Sequence, residues 1–159
     1  MSPASIGLLE AREIEEVVGL FGAQLQEHAI ATSTADLRAV ANRVMADLRY
    51  GFMLVARAPD GSLQGVAYAS TILTLEHGGV SGWLEELYVL PEWRGKGIGS
   101  RLLDAVIAHA EKLGWRAVDL EVDANHQRVI SLYTRHQFQP RSRTRFYRML
   151  GDETARLRT

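Results

Sequence analysis

A chain of 159 residues, 47% apolar and 23% charged, with no cysteine, has the make-up of one globular domain, expected to span residues 1–159. Disulfides, thiolate metal ligands and a cysteine nucleophile are excluded, and no apolar run reaches the roughly 20 residues of a membrane helix. The net charge of −1 argues against a basic nucleic-acid coat but hides a division: residues 1–90 carry 5 Lys/Arg and 11 Asp/Glu, residues 91–150 carry 11 and 6. Met1-Ser2-Pro3-Ala4-Ser5 lacks the basic start and apolar stretch of a signal peptide, so a cytoplasmic location is expected.

Ser5 to Glu10 alternates weakly and predicts a first strand. Between Arg12 and His28, Ile14, Val17, Val18, Phe21 and Leu25 fall at helical spacing. A second helix is expected with Asp36 as its cap and Leu37, Val40, Val44, Met45 and Leu48 as its stripe. Phe52 to Arg57 then predicts a strand, Pro59-Asp60-Gly61-Ser62 a turn, and Gln64 to Leu75 the returning strand of a hairpin. After the loop Glu76-His77-Gly78-Gly79, Trp83 to Leu90 predicts another strand, stopped by Pro91. The most regular helix opens at Gly97, with Ile98, Leu102, Leu103, Val106, Ile107, Ala110 and Leu113 on one face, and ends at Gly114. A strand at Arg116 to Val122, a helix at Gln127 to His136, and strands at Phe138 and Arg145 to Leu150 complete the order. The pattern is that of a mixed α/β sheet rather than a regular βαβ repeat.

Arg94-Gly95-Lys96-Gly97-Ile98-Gly99-Ser100 joins a strand to that helix. The first N–H groups of a helix lack internal partners, and the helix dipole favours negative charge there. Glycines admit a phosphate close to the backbone, and Arg94 and Lys96 add charge, so the segment describes a pyrophosphate cradle. It is neither the dinucleotide fingerprint, because Ser100 stands where the third glycine should be, nor a Walker loop, because Gly97 follows Lys96.

The run Leu84-Glu85-Glu86-Leu87-Tyr88-Val89-Leu90-Pro91-Glu92-Trp93-Arg94-Gly95-Lys96-Gly97-Ile98-Gly99 resembles the acetyl-coenzyme A signature of the GNAT N-acetyltransferases, with Arg94, Gly97 and Gly99 on the motif positions. Arg128-Val129-Ile130-Ser131-Leu132-Tyr133, followed by Phe138, resembles a second segment of the family. Two positions depart from it: Gln137 stands where Gly usually precedes the Phe, and His126 takes the place of the family's Asn, leaving Asn125 one residue early. The resemblance implies a mixed, mostly antiparallel sheet of about six to seven strands with helices on both faces. It implies acetyl-coenzyme A as cosubstrate and no metal. The cofactor contacts it implies are Arg94, Gly95, Lys96, Gly97, Ile98, Gly99 and Ser100, the backbone of Leu87 and Val89, and Asn125.

Acetyl transfer to an amine needs a base for the ammonium, a donor for the developing oxyanion and a proton for the departing thiolate. Strict alternation turns the adjacent Glu85 and Glu86 to opposite faces, Glu85 sharing parity with Trp83, Leu87 and Val89. Similarity to polyamine-type members favours Glu85 as base and Glu86 as the group that holds a cationic acceptor; solvated charges on an edge strand are the plain alternative. Tyr133 shares a helical face with Val129 and Ile130, and the resemblance makes it the acid.

His77, Gly78 and Gly79 form a loop that either lines the acceptor site or is simply solvated. Arg141, Arg143 and Arg145 read as an exposed basic segment, and His109, His126 and His136 have no metal spacing. The expected partners are acetyl-coenzyme A and a small cationic amine, without nucleic acid or membrane. Dimerisation is common in the family and unspecified here. The alternatives are a catalytically silent acyl-coenzyme A-binding module and a protein N-terminal or lysine acetyltransferase.

Overall fold

The computed structural model describes residues 3–151; residues 1–2 and 152–159 of the expected domain lie outside them. The elements are β1 (Ser5–Leu8), α1 (Ile14–Glu27), α2 (Thr34–Ala46), β2 (Gly51–Arg57), β3 (Leu63–Thr74), β4 (Gly79–Val89), α3 (Ile98–Lys112), β5 (Val118–Asp119) and α4 (Gln127–Arg135). The strands form one five-stranded sheet in the order β1-β2-β3-β4-β5. Pairings from β1 to β4 are antiparallel, and β5 runs parallel to β4.

The apolar stripes of α1 and α2 cover one face of the sheet, where Val17, Val18, Phe21 and Val44 meet Met53, Val55, Val66 and Tyr88. The stripe of α3 covers the other, with Leu102, Leu103 and Val106 against Leu54, Ala67 and Leu84, and Leu132 and Tyr133 of α4 beside them. The cap of α2 is Ser33 rather than Asp36: the Ser33 hydroxyl accepts from the Asp36 N–H at 3.1 Å, which makes Asp36 the third residue of the helix.

Gly82 shows how tightly the α3 face is filled. A Cβ there would lie 2.0 Å from Cζ3 of Trp115, whose ring also packs 5.2 Å from that of Phe52. Gly82→Ala is expected to cost about 1–3 kcal/mol through overpacking. A urea midpoint equal to that of the parent would show that Trp115 moves aside without strain.

The sheet has fewer strands than the sequence predicts. The strand expected at Arg116 to Val122 shrinks to Val118–Asp119, which pairs with β4 only at Gly82 and Trp83. No strand forms at Phe138 or at Arg145 to Leu150, and residues 141–150 are all exposed. The apolar positions explain this. Phe146 and Tyr147 are adjacent, as are Met149 and Leu150, so no period-2 face is available for burial. The segment is tied down by side chains instead, Arg143 to Glu76 at 2.9 Å and Arg145 to Glu121.

Candidate active site

The register of β3 and β4 places the carboxylates. Tyr68 pairs with Glu86, but Ala69 pairs with Leu84, so Glu85 is the extra residue of a β-bulge. Alternation restarts across it. Leu84, Leu87 and Val89 belong to the α3 face and Tyr88 to the α1/α2 face. Glu85 and Glu86 therefore do not point to opposite faces, as strict alternation requires. Both line one cavity of about 130 Å³ on the α1/α2 side, together with Phe21, Leu25, Leu37, Val40, Met53 and Tyr68.

The two carboxylates differ in surroundings. Glu85 is exposed and accepts from the Ser70 hydroxyl at 3.0 Å. Glu86 is largely buried, and burial together with the neighbouring charge of Glu85 pushes its pKa up to about 7. Tyr133 is raised to about 12 by burial and by the charge of Glu86, so its hydroxyl stays protonated at neutral pH. Its ring meets Phe138 edge-on at 5.6 Å, which holds α4 against the α3-side cluster.

Beyond Trp83 and Asp119, β4 and β5 no longer pair. Leu90 N–H donates to the Gln64 carbonyl at 3.0 Å, so even-numbered positions on this part of β4 bond toward β3. Leu87 and Val89 consequently turn their backbone groups to the open edge. The Val89 carbonyl accepts from Arg94 Nε at 2.8 Å.

The loop that follows has the geometry of an anion cradle. Gly95 and Gly97 have φ of +76° and +80°, a region that other residues enter at a cost. Gly97 caps α3 without any side-chain hydrogen bond, and the first intrahelical donor is Arg101 N–H to the Gly97 carbonyl. The amides of Ile98, Gly99 and Ser100 thus lack helical partners. A Cβ at Gly97 would meet no atom within 4 Å, so the space beside it is open. The arrangement fits the diphosphate of coenzyme A.

The expected cradle residues contribute unequally. Ile98 is buried in the core and offers only its backbone. The Ser100 hydroxyl is engaged by His136 Nε2 at 3.1 Å, so Ser100 also offers its amide. Lys96 lies over the Trp93 ring at 5.1 Å. Arg94 is shared between the Val89 carbonyl and Glu27 at 3.2 Å, with its guanidinium 5.3 Å from the Tyr88 ring centroid. Asn125 sits exposed in the turn before α4.

Other residues border the site. Arg128 reaches toward the cradle, with Nη2 3.9 Å from where a Gly95 Cβ would be. His136 joins α4 to α3: its Nδ1 lies 2.8 Å from the Leu132 carbonyl, and its Nε2 lies 3.1 Å from both Ser100 Oγ and Asp104 Oδ1. Phe21, Leu25, Leu37 and Val40 belong to core stripes by spacing alone; only the packing of two helices over β4 turns them into cavity wall. His77 does not line this cavity. It is held by Asp119 at 2.8 Å at the far end of β4. His109 packs edge-on against Phe52 at 4.4 Å, and burial lowers its pKa.

A family model described as the acetyltransferase (GNAT) family matches residues 24–138. The mycothiol acetyltransferase of Propionibacterium freudenreichii subsp. shermanii is 41% identical over 86 residues, 54% of this chain and 27% of that protein. An uncharacterized N-acetyltransferase of Methanocaldococcus jannaschii is 38% identical over 56 residues, 35% of this chain and 25% of the relative. These matches span about a quarter of the length of the curated relatives. Among solved structures, AAC(6')-Iy in complex with the bisubstrate analogue CoA-S-monomethyl-acetylneamine superposes with a TM-score of 0.80 at 22% identity, covering 94% of this chain and 100% of that one. A predicted acetyltransferase from Clostridium acetobutylicum, with acetyl-CoA, gives a TM-score of 0.76 at 18% identity, covering 91% and 96%. These two likenesses are of fold.

Proposed function

Because the chain belongs to the acetyltransferase (GNAT) family, we propose that it is an N-acetyltransferase that moves an acetyl group from acetyl-coenzyme A to a small cationic primary amine. Attack is direct, within a ternary complex. The observation that carries this reading is the position of β4: one edge is open toward the glycine cradle, and one face presents two carboxylates to a cavity.

Acetyl-coenzyme A supplies an activated thioester. The amides of Ile98, Gly99 and Ser100, with Arg94, Lys96 and Arg128 around them, hold its diphosphate. Asn125 is an additional contact. Leu87 and Val89 present backbone groups to its pantetheine, and an N–H on that edge polarises the thioester carbonyl.

We assign the base to Glu86 and acceptor binding to Glu85, the reverse of the sequence-based preference. Glu85 is exposed and accepts from the Ser70 hydroxyl, which holds it in place to receive a cation. Glu86 is partly buried and its pKa is pushed up to about 7, which suits a group that must take and release a proton. Glu86 removes the proton from the bound ammonium, directly or through one water. The amine nitrogen forms a bond to the acetyl carbon, the carbon–sulfur bond breaks and Tyr133 gives its proton to the departing sulfur; the second proton released by the nitrogen passes through solvent and restores the Tyr133 hydroxyl.

The test is release of free thiol from acetyl-coenzyme A across amines, amino acids, aminoglycosides, peptide N-termini and acceptors of the mycothiol type. Release with at least one of them supports the reading. Binding of acetyl-coenzyme A with no release from any of them supports a silent binding module. Tyr133→Phe is expected to lower kcat by roughly 10²-fold or more, with little change in KM for acetyl-coenzyme A. An unchanged rate across pH would make the hydroxyl structural.

A further inference from the structure

Resting on the acetyl-transfer reading above, we propose that the acceptor carries a single cationic amine on an apolar body. It is an arylalkyl or alkyl amine rather than a polyamine, an aminoglycoside or an amino acid. The wall of the cavity divides by chemistry. Its charged groups, Glu85 and Glu86, both lie on β4. Phe21 and Leu25 of α1, Leu37 and Val40 of α2 and Met53 of β2 form the rest with Tyr68, and among the described residues no Lys or Arg lines it.

Each competing acceptor class meets a specific penalty. A second ammonium, several carbons from the first, would leave water for a wall without a carboxylate. The several hydroxyls of an aminoglycoside would lose their hydration against a mainly apolar wall whose polar groups are those of Tyr68, Glu85 and Glu86. The carboxylate of an amino acid would lie beside Glu85 and Glu86, with no cation among the described lining residues to offset it. An apolar body meets none of these costs and covers Leu37 and Val40. The latter is 44% exposed. A volume of about 130 Å³ is on the scale of a ring or a short alkyl chain.

Full-length protein is assayed for thiol release with 2-phenylethylamine, tyramine and hexylamine against putrescine, spermidine, kanamycin and glycine. The amines with apolar bodies are expected to exceed the others in kcat/KM by about tenfold or more. Faster turnover of a polyamine, kanamycin or glycine overturns the proposal and leaves acetyl transfer standing. Val40→Glu places a carboxylate on the apolar wall. It is expected to raise putrescine relative to 2-phenylethylamine by about tenfold or more; an unchanged ratio counts against the proposal. Calorimetry with coenzyme A present separates the two readings should no amine be turned over. Tighter binding of 2-phenylethylamine than of putrescine supports the apolar acceptor site while the transfer reading fails, and equal or absent binding overturns it.

Discussion

Glu86→Gln is expected to lower kcat by about 10²–10⁴-fold, the usual worth of a positioned base, with acetyl-coenzyme A affinity unchanged. In the parent, kcat/KM should rise tenfold per pH unit up to about pH 7 and then level, because the active form is the carboxylate of Glu86. The limb should disappear in the Gln variant. Glu85→Gln makes a different prediction. Removing the neighbouring negative charge lowers the pKa of Glu86, so the limb moves to lower pH while KM for the amine rises. If the Glu85 variant instead loses the limb, the roles of the two carboxylates are exchanged.

Stability supplies an independent sign. The native pKa of Glu86 lies above its ordinary 4.5, so between pH 4.5 and about 7 the folded state binds more protons than the unfolded state. Stability from this group is present below 4.5 and lost as pH rises through about 7. Glu86→Gln should therefore raise Tm at pH 8 while it removes activity. A fall in Tm would show the carboxylate to be a structural partner.

Gly97→Asp is the second large expectation. The residue has φ of +80°, which Asp tolerates better than most side chains, and a carboxylate at the start of α3 is favourable to the helix dipole. The fold should survive. With the diphosphate in its proposed place beside Gly97, a carboxylate about 4 Å from one phosphate charge, at an effective dielectric constant near 20, repels it by about 4 kcal/mol. That is roughly a thousandfold in affinity. Calorimetric titration with acetyl-coenzyme A tests it: parental affinity in a folded Gly97→Asp protein would place the phosphates elsewhere.

The glycine turn and the helix start after it are legible in the sequence, because glycine spacing and helix periodicity are local signals. Ile98, Leu102, Leu103 and Val106 identify the helix and its buried face from periodicity alone. The carboxylate pair is legible as chemistry but not as geometry. Its placement depends on the register of Tyr68 and Ala69, which lie 15 or more residues upstream, and no local pattern around Glu85 marks a bulge. The acceptor wall is hidden for a related reason. Phe21 and Leu37 have the spacing of ordinary core positions, and only the distance between α1 and α2 over β4 decides whether they close on each other or leave room. The final strands are absent because Phe146, Tyr147 and Met149, all exposed, have no common face on which to be buried.

The bulge at Glu85 also bears on how such a site is gained or lost. Deleting Glu85 would leave Leu84, Glu86 and Leu87 in plain alternation, with every rung of the ladder to β3 kept. The cradle would remain in register, because Tyr88, Val89 and Arg94 follow the same partners. A single codon thus separates a one-carboxylate from a two-carboxylate pocket on an otherwise unchanged scaffold. Related chains that differ in length by one residue at this point should differ in acceptor choice while sharing cofactor and fold.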